Sequence, residues 1–126
     1  YGVCPTPAND QARNGTIKGN TTYNCKSAIA RAGGIYVDGG KDIVIEQNRC
    51  YQGQVGIAVG CENVSKTTSN ITVKNNIVYD NDNVGMYIGG YNYPSTGKVT
   101  NSVVRNNTFF KNDKTNNSNV RNPQTN

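Results

Sequence analysis

The sequence predicts an all-β fold, a right-handed parallel β-helix of about four coils with three strands in each coil. A short segment centred on Asn recurs four times, and a second segment, a short strand flanked by glycine, alternates with it. The composition agrees with these two observations, because only 34% of the 126 residues are apolar and the chain has no Trp and no His. Such a chain favours turn-rich β structure over a compact helical core.

Each Asn-centred segment has a strand before the Asn and an aromatic residue after it. The four segments align without gaps: Thr16–Tyr23, Val44–Tyr51, Thr72–Tyr79 and Val103–Phe110. Their central residues, Asn20, Asn48, Asn76 and Asn107, are spaced by 28, 28 and 31 residues, which is typical of one turn of a three-sided solenoid. We expect each Asn to adopt left-handed backbone geometry at a bend and to hydrogen-bond the equivalent amide one coil away.

The glycine-flanked strands are Gly34–Gly39, Gly56–Cys61 and Gly85–Gly90. Successive side chains of a strand point to opposite faces, so alternate residues of all three strands in a coil should face the interior. The side chains expected inside are Ile17, Thr22, Ile35, Val37, Ile43, Ile45, Cys50, Ile57, Val59, Ile71, Val73, Val78, Met86, Ile88, Val104 and Phe109. Stacked coils would bury these residues together, and no single coil could do so alone.

Two outward columns follow from the same alignment. Tyr23, Tyr51, Tyr79 and Phe110 form a predicted aromatic stack, and the preceding face carries a charged column. The charged column consists of Lys18, Glu46, Lys74 and Arg105. We interpret both columns as structural, with a carbohydrate platform on the tyrosines as the alternative.

The strand from Gly34 to Gly39, the Asn-centred bend and the segment Gly85–Tyr91 together resemble the parallel β-helix repeats of the pectate-lyase-like superfamily. The resemblance covers residues 14–113, and it specifies a fold more closely than a reaction, since that fold carries lyases, hydrolases, epimerases and non-catalytic proteins. It implies a protein that binds or cleaves an acidic polysaccharide, either a polysaccharide lyase or a glycoside hydrolase. The alternative is a non-catalytic surface or adhesin-like module.

The pattern divides the chain into three parts. Residues 1–13 form an N-terminal extension, residues 14–113 the β-helix and residues 114–126 a polar tail. One stretch, Ser27–Ala32, is helix-prone and is expected to add a turn of helix to the first coil. The last coil would leave strand edges uncovered, so further coils or an oligomeric contact are expected at the C-terminal end.

In enzymes of the superfamily the substrate lies along one outward sheet and the loops beside it, which here places it on the glycine-flanked strands. The expected sugar-binding residues are Tyr36, Tyr87, Tyr91 and Tyr93. Asp38 and Glu62 are candidates for a general acid and base, or for ligands of Ca²⁺. Lys66 and Lys98 are candidates for the base of a lyase. An ordinary turn at Asp38, and solvated loop positions for Glu62 and the two lysines, are the alternatives.

Charge and cysteines place limits on the partner and the compartment. The net charge of +5 suits an anionic partner, but the basic residues are scattered, which argues against nucleic acid. No apolar run reaches the roughly 18 residues of a membrane span. The cysteines, Cys4, Cys25, Cys50 and Cys61, lack metal-site spacing. They indicate one or two disulfides in a secreted or cell-surface protein, with Cys4 to Cys25 the preferred pair and a buried free thiol the alternative for Cys50.

Overall fold

A computed structural model describes residues 11–90, 92–114 and 119–121, and these residues form thirteen short strands. The strands are β1 (Arg13–Lys18), β2 (Thr21–Tyr23), β3 (Gly33–Asp38), β4 (Lys41–Glu46), β5 (Arg49–Tyr51), β6 (Val55–Gly60), β7 (Thr67–Lys74), β8 (Ile77–Tyr79), β9 (Val84–Ile88), β10 (Lys98–Thr100), β11 (Val103–Arg105), β12 (Thr108–Phe110) and β13 (Val120–Arg121). No helix is present among the described residues, and so none that could cross a membrane.

The strands form three parallel sheets. Sheet A contains β1, β4 and β7, with β10 and β11 both paired to β7; sheet B contains β2, β5, β8 and β12; sheet C contains β3, β6, β9 and β13. Neighbours within a sheet are one turn apart, so four layers correspond to about three turns of a solenoid. The predicted parallel β-helix with three strands per coil is confirmed.

The interior is a stack of aliphatic side chains, as the alternation predicts. Its buried members are Ile35, Val37, Ile43, Ile45, Cys50, Ile57, Val59, Ile71, Val73, Val78, Met86 and Val99, with Ile17, Ile88 and Phe109 packed against them. Val104 faces the same way and pairs with Val73, but it is 40% exposed because β11 is the last described layer of its sheet. Val99 was not predicted, since the inserted strand β10 lies outside the repeat alignment.

The predicted asparagine ladder is present. The side-chain amide nitrogen of Asn20 donates to Asn48 Oδ1 at 3.1 Å, Asn48 donates to Asn76 at 3.0 Å, and Asn76 donates to Asn107 at 2.9 Å. Asn48 and Asn76 are 2% and 1% exposed, so the bond between them is made away from water, whereas the bonds to Asn20 and to Asn107 are only partly buried. These bonds tie each coil to the next at the bend between sheets A and B.

The left-handed backbone does not lie on the ladder asparagines themselves, and that expectation was wrong. It lies on the residue before each of them: Gly19, Gln47, Asn75 and Asn106, all with φ between 54° and 68°. This arrangement lets the next residue turn its side chain inward, where the amide reaches the ladder. Two further files of left-handed residues recur at the same spacing: Asn14, Asp42, Asn70 and Asn101, and Asn24, Gln52, Asp80 and Lys111.

A second ladder lies at the bend between sheets B and C. Asn81 donates to Asn112 Oδ1 at 2.8 Å, and Asn112 donates to Asn119 Oδ1 at 3.0 Å. Gly53 takes the equivalent place one coil earlier, where its backbone N–H donates to Asn81 Oδ1 at 3.0 Å. The repeat pattern did not predict this ladder, because its first two coils carry Cys25 and Gly53 in place of Asn.

Both outward columns form as predicted. The rings of Tyr23, Tyr51, Tyr79 and Phe110 stack with centroids 4.9–5.7 Å apart and nearly parallel planes. In the charged column Glu46 lies between two lysines, 3.1 Å from Lys18 Nζ and 3.1 Å from Lys74 Nζ. Like the ladders, both columns join one coil to the next.

Two other expectations were wrong, and the predicted polar tail contains a short strand. The segment Ser27–Ala32 is not helical but a series of bends. Val120 and Arg121 form β13 inside the segment predicted to be a polar tail, where Val120 pairs with Met86 of β9. Cys25 is a free thiol, which rules out its pairing with Cys4 and leaves room for one disulfide at most.

The buried Cys50 is also a free thiol, as the alternative for that residue predicted. It belongs to the core cluster, where it packs as a small apolar side chain. Cys4 lies outside the described residues.

Candidate functional site

The outer face of sheet C carries two tyrosines separated by an alanine. In the strand register Tyr36 pairs with Ala58 and Ala58 pairs with Tyr87. Parallel strands lie about 4.8 Å apart, so the two tyrosines are two layers, or roughly 10 Å, from each other. Between them the small Ala58 side chain leaves a cavity of about 240 Å³, which we call the tyrosine slot.

Three long connections between the described strands adjoin sheet C. One precedes β3 (residues 24–32), one follows β6 (residues 61–66) and one follows β9 (residues 89–97), whereas β3 and β4 are joined by two residues only. The loop after β9 folds back on the sheet, where Gly97 N–H donates to Cys61 O at 2.7 Å. Any side chain at Gly97 would collide with the backbone of Gly90, so that close approach requires glycine.

One glutamine holds the first of these loops. Gln54 Oε1 accepts the backbone N–H groups of Ser27 at 3.1 Å and Ala32 at 2.8 Å, and Gln54 Nε2 donates to Ser27 O at 2.9 Å. These bonds close the base of the loop that carries Arg31. Arg31 is exposed, lines the slot, and takes part in none of the ion pairs formed among the described residues.

The two candidate acids, Asp38 and Glu62, come together at the edge of the slot. Asp38 Oδ1 accepts the Glu62 backbone N–H at 2.9 Å, and the Tyr36 hydroxyl donates to Glu62 Oε1 at 3.2 Å. Burial raises the pKa of Asp38, the Glu62 N–H opposes that rise, and the Glu62 charge adds to it. Burial, together with the charges of Asp38 and Glu62, raises the pKa of Tyr36, which therefore stays a protonated hydrogen-bond donor.

A second, larger cavity of about 580 Å³ adjoins the slot at the N-terminal end of the helix. Tyr36, Glu62 and Arg31 line both cavities. The larger cavity also reaches the core side chains Ile17 and Ile43, so its floor is apolar while its mouth carries charge. The site thus consists of an aromatic slot, two carboxyl groups and one arginine.

The remaining predicted residues lie elsewhere or outside the described chain. Lys66 is half-buried at the end of the loop after β6, and Lys98 is exposed at the start of β10, in the sheet that turns away from the slot. Tyr93 is 40% exposed in the loop after β9. None of these three lines either cavity. Tyr91 lies outside the described residues.

Within the described part of the chain, Asp38 and Glu62 have no third candidate metal ligand beside them. Among the residues that the structure describes, no group of three or more His, Cys, Asp or Glu side chains is close enough to hold a metal ion. Asp38 and Glu62 would therefore supply two of the six to eight oxygens that Ca²⁺ usually takes.

Three contributors to the site were missed in the sequence. Arg31 and Gln54 belong to an inserted loop and to its support, and neither falls in a repeat. The strand alternation makes Ala58 outward-facing, but its role as a gap depends on its two neighbours across the sheet. A signal was available in the column Tyr36, Ala58, Tyr87, where one small residue interrupts a file of tyrosines.

Comparisons with known proteins agree with the fold. The family model described as the right handed beta helix region matches residues 8–123. The uncharacterized protein YwoF of Bacillus subtilis (strain 168) is 42% identical over 82 residues, which cover 65% of this chain and 17% of that protein. The chain thus spans about a sixth of the length of the curated relative that it matches. No solved structure matches the chain.

Proposed function

Since the chain belongs to the right-handed β-helix family, we propose that it is a carbohydrate-active protein that binds an acidic polysaccharide across sheet C and hydrolyses it. The observation that carries this proposal is the slot between Tyr36 and Tyr87 above Ala58. Tyrosine faces pack well on the apolar faces of sugar rings. The two tyrosines stand two strand layers apart, roughly 10 Å between their backbones, and we propose that one pyranose ring fits between their side chains.

The acids beside the slot favour hydrolysis over elimination. Glycoside hydrolysis commonly uses one protonated carboxyl group as the acid and one carboxylate as the base or nucleophile. Asp38 suits the role of the acid because burial raises its pKa and keeps it protonated to a higher pH. Glu62 would be the second carboxylate, oriented by the Tyr36 hydroxyl at 3.2 Å. The candidate bases of a lyase, Lys66 and Lys98, line neither cavity.

Arg31 supports an acidic substrate. It lines both cavities and carries a charge that the described ion pairs leave uncompensated. A guanidinium group binds a carboxylate through two parallel hydrogen bonds, which suits the carboxylate of a uronic acid. Any Ca²⁺ at Asp38 and Glu62 would take its other ligands from water and from the substrate. A polymer of this kind would be met outside the cell or in the periplasm, so the proposal includes export.

The experiment is a panel of oligosaccharides offered to the wild-type chain and to two matched variants. Ala58→Leu fills the slot, whereas Ala28→Leu adds the same side chain to an exposed position of the first loop that lines neither cavity. We expect uronate-containing oligosaccharides to bind the wild-type chain and Ala28→Leu equally, and binding to Ala58→Leu to fall at least tenfold. Calorimetry measures the binding, and melting temperatures check that both variants fold.

The same incubations show whether the bound oligosaccharide is hydrolysed, cleaved by elimination or left intact. New reducing ends without ultraviolet absorbance would support hydrolysis, and they should disappear in Asp38→Asn. Ultraviolet absorbance from unsaturated products would instead indicate elimination, the reaction of a lyase. Binding without either product would leave a sugar-binding module, which is the non-catalytic alternative. Equal binding by Ala58→Leu and wild type would refute the slot itself.

A further inference from the structure

Basic residues that are scattered along the sequence gather on one sheet of the helix. The strands of sheet A carry six basic residues and two acidic ones, a net charge of +4, compared with +5 for the whole chain. The six basic residues are Arg13, Lys18, Lys41, Lys74, Lys98 and Arg105. Among the described strands, those of sheet B carry Arg49 as their one charged residue, and the first three of sheet C carry only Asp38.

These basic residues form two rows that run along the helix axis. At the start of the strands Arg13 pairs with Lys41 in the register, and Lys98 lies two layers beyond Lys41. At the end of the strands, successive layers carry Lys18, Glu46, Lys74 and Arg105. Parallel strands lie about 4.8 Å apart, so each row brings charges of the same sign close together. Such charges repel one another unless an anion lies between them.

The ion pairs of sheet A neutralise only part of this charge. Glu46 lies between two lysines, 3.1 Å from Lys18 Nζ and 3.1 Å from Lys74 Nζ. The basic residues of the sheet that are exposed and take part in none of the ion pairs formed among the described residues are Lys41, Lys98 and Arg105. The face therefore has three cations to offer to an anionic partner.

The strip between the two rows indicates what kind of anion fits. It carries short side chains that pair across four layers: Thr16, Val44, Thr72 and Val103. The five described strands of the sheet contain no aromatic residue, whereas membrane-surface helices insert aromatic or leucine side chains and proteins that bind single-stranded nucleic acid stack bases on aromatic rings. Threonine hydroxyl groups both donate and accept hydrogen bonds, which suits a polymer rich in hydroxyl groups.

We propose that the outer face of sheet A, with its six basic residues, is a second attachment surface for the acidic polysaccharide, separate from the tyrosine slot. We call it the basic face. The choice of this polymer rests on the proposed function, whereas the charge of the face does not. A linear chain of uronates can lie along the helix axis and place carboxylates beside the cations of successive layers. The slot takes one sugar unit, and the basic face holds distant units of the same polymer, so affinity increases with polymer length.

The test compares the wild-type chain with two variants that each lose two positive charges. Lys41→Gln/Lys98→Gln takes them from the basic face, and Arg49→Gln/Lys111→Gln takes them from exposed positions outside sheet A. Lys111 has the same left-handed backbone as Gln52 two coils earlier, so glutamine fits there. We expect affinity for long polygalacturonate to fall about tenfold in the first variant and less than about twofold in the second. Retention on the immobilised polymer measures both.

Salt and a short ligand separate the basic face from the slot. Raising the salt from about 50 mM to about 500 mM should weaken polymer binding more in the wild type than in Lys41→Gln/Lys98→Gln, because salt screens exposed charges. A trigalacturonate binds through the slot, so Lys41→Gln/Lys98→Gln should bind it as the wild type does, whereas Ala58→Leu should bind it at least tenfold more weakly.

Three results would overturn the proposal. Unchanged polymer binding in Lys41→Gln/Lys98→Gln would remove the basic face, and equal losses in the two double variants would reduce it to an effect of net charge. Tighter binding to duplex DNA, or to vesicles of phosphatidylserine and phosphatidylcholine, than to polygalacturonate would refute the choice of a polysaccharide. If the trisaccharide failed to bind while polymer binding still depended on Lys41 and Lys98, the slot would fail and the basic face would stand.

Discussion

The two sides of this helix differ in how regularly one coil repeats the next. Around the bend between sheets A and B, each coil repeats the one before it, with an asparagine, an aromatic ring and a charged residue stacked in register. Around sheet C the repeat breaks, and loops of different length enter before β3, after β6 and after β9. On the regular side the asparagine ladder and the aromatic stack repeat one kind of side chain from coil to coil, and Glu46 lies between two lysines. On the irregular side the neighbours differ, and an alanine faces two tyrosines.

Under the proposed function, this contrast separates tyrosines that stabilise the stack from tyrosines that bind a ligand. The Tyr51 ring stacks between two other rings, with its centroid 5.0 Å from that of Tyr79. Both of its faces are therefore covered, which leaves little surface for a ligand. Tyr87 lines the tyrosine slot next to Ala58. A residue type repeated in every coil therefore contributes to the stability of the stack, while a break in the file marks a place where something else can bind.

The largest expected effect lies on the regular side, at the centre of the ladder. Asn76→Leu removes the acceptor of Asn48 and the donor to Asn107 and to Ile45 O, all in a site 1% exposed. Leaving buried polar partners unpaired should lower the free energy of unfolding by about 3 kcal/mol. Urea denaturation measures this loss in the free energy of unfolding.

Two further variants calibrate that result. Asn107→Leu, at the half-buried end of the ladder, should cost less than Asn76→Leu. Asn92→Ala, in an exposed loop, should cost under about 0.5 kcal/mol. Equal losses for Asn76 and Asn107 would mean that the ladder does not act through burial.

The regular side could be predicted from the sequence, and the irregular side only in part. Asn48 and Tyr51 recur at a fixed spacing, so the period alone gives their neighbours. Asp38 and Glu62 were placed together because one strand register joins Asp38 to Gly60. Arg31 could not be placed, because its loop is inserted and its position depends on hydrogen bonds from Gln54. The left-handed residues were misplaced by one position, since a pattern of residue types does not show which residue carries the turn.

The next effect tests the aromatic file against the slot. Tyr51→Ala leaves a gap between Tyr23 and Tyr79 and removes two stacking contacts. Each such pair is worth about 0.5–1.5 kcal/mol, so thermal and urea unfolding should show a loss of about 2 kcal/mol. Binding of oligosaccharides should stay at the wild-type level. If Tyr51→Ala lost binding but kept its stability, the aromatic stack would be a sugar-binding platform.

Tyr87→Ala should behave in the opposite way. Its ring is half-buried at the slot, with no ring stacked on it among the described aromatic contacts. We expect affinity for an oligosaccharide to fall about tenfold, which corresponds to about 1.4 kcal/mol. The free energy of unfolding should change by less than it does in Tyr51→Ala. Calorimetric titration and urea denaturation of the two variants, measured side by side, distinguish the two kinds of tyrosine.

The smallest expected effect is a difference of sign in the pH dependence of stability. Hydrogen bonds from Lys74 and Lys18 lower the pKa of Glu46, so its contribution is present above the ordinary glutamate pKa and is lost as the pH falls through the lowered value. Burial raises the pKa of Asp38, so stability falls as the pH rises from the ordinary aspartate pKa to the raised value.

Glu46→Gln and Asp38→Asn remove these two titrations one at a time. Relative to wild type, Glu46→Gln should lose stability as the pH rises between about 3 and 6, and Asp38→Asn should gain it. Melting temperatures across that range measure both differences, which should be small because both groups are partly exposed to solvent. The two curves should therefore diverge with rising pH. An Asp38→Asn difference that does not change with pH would mean that Asp38 is solvated like any surface carboxylate, and the acid proposed for hydrolysis would lose its physical basis.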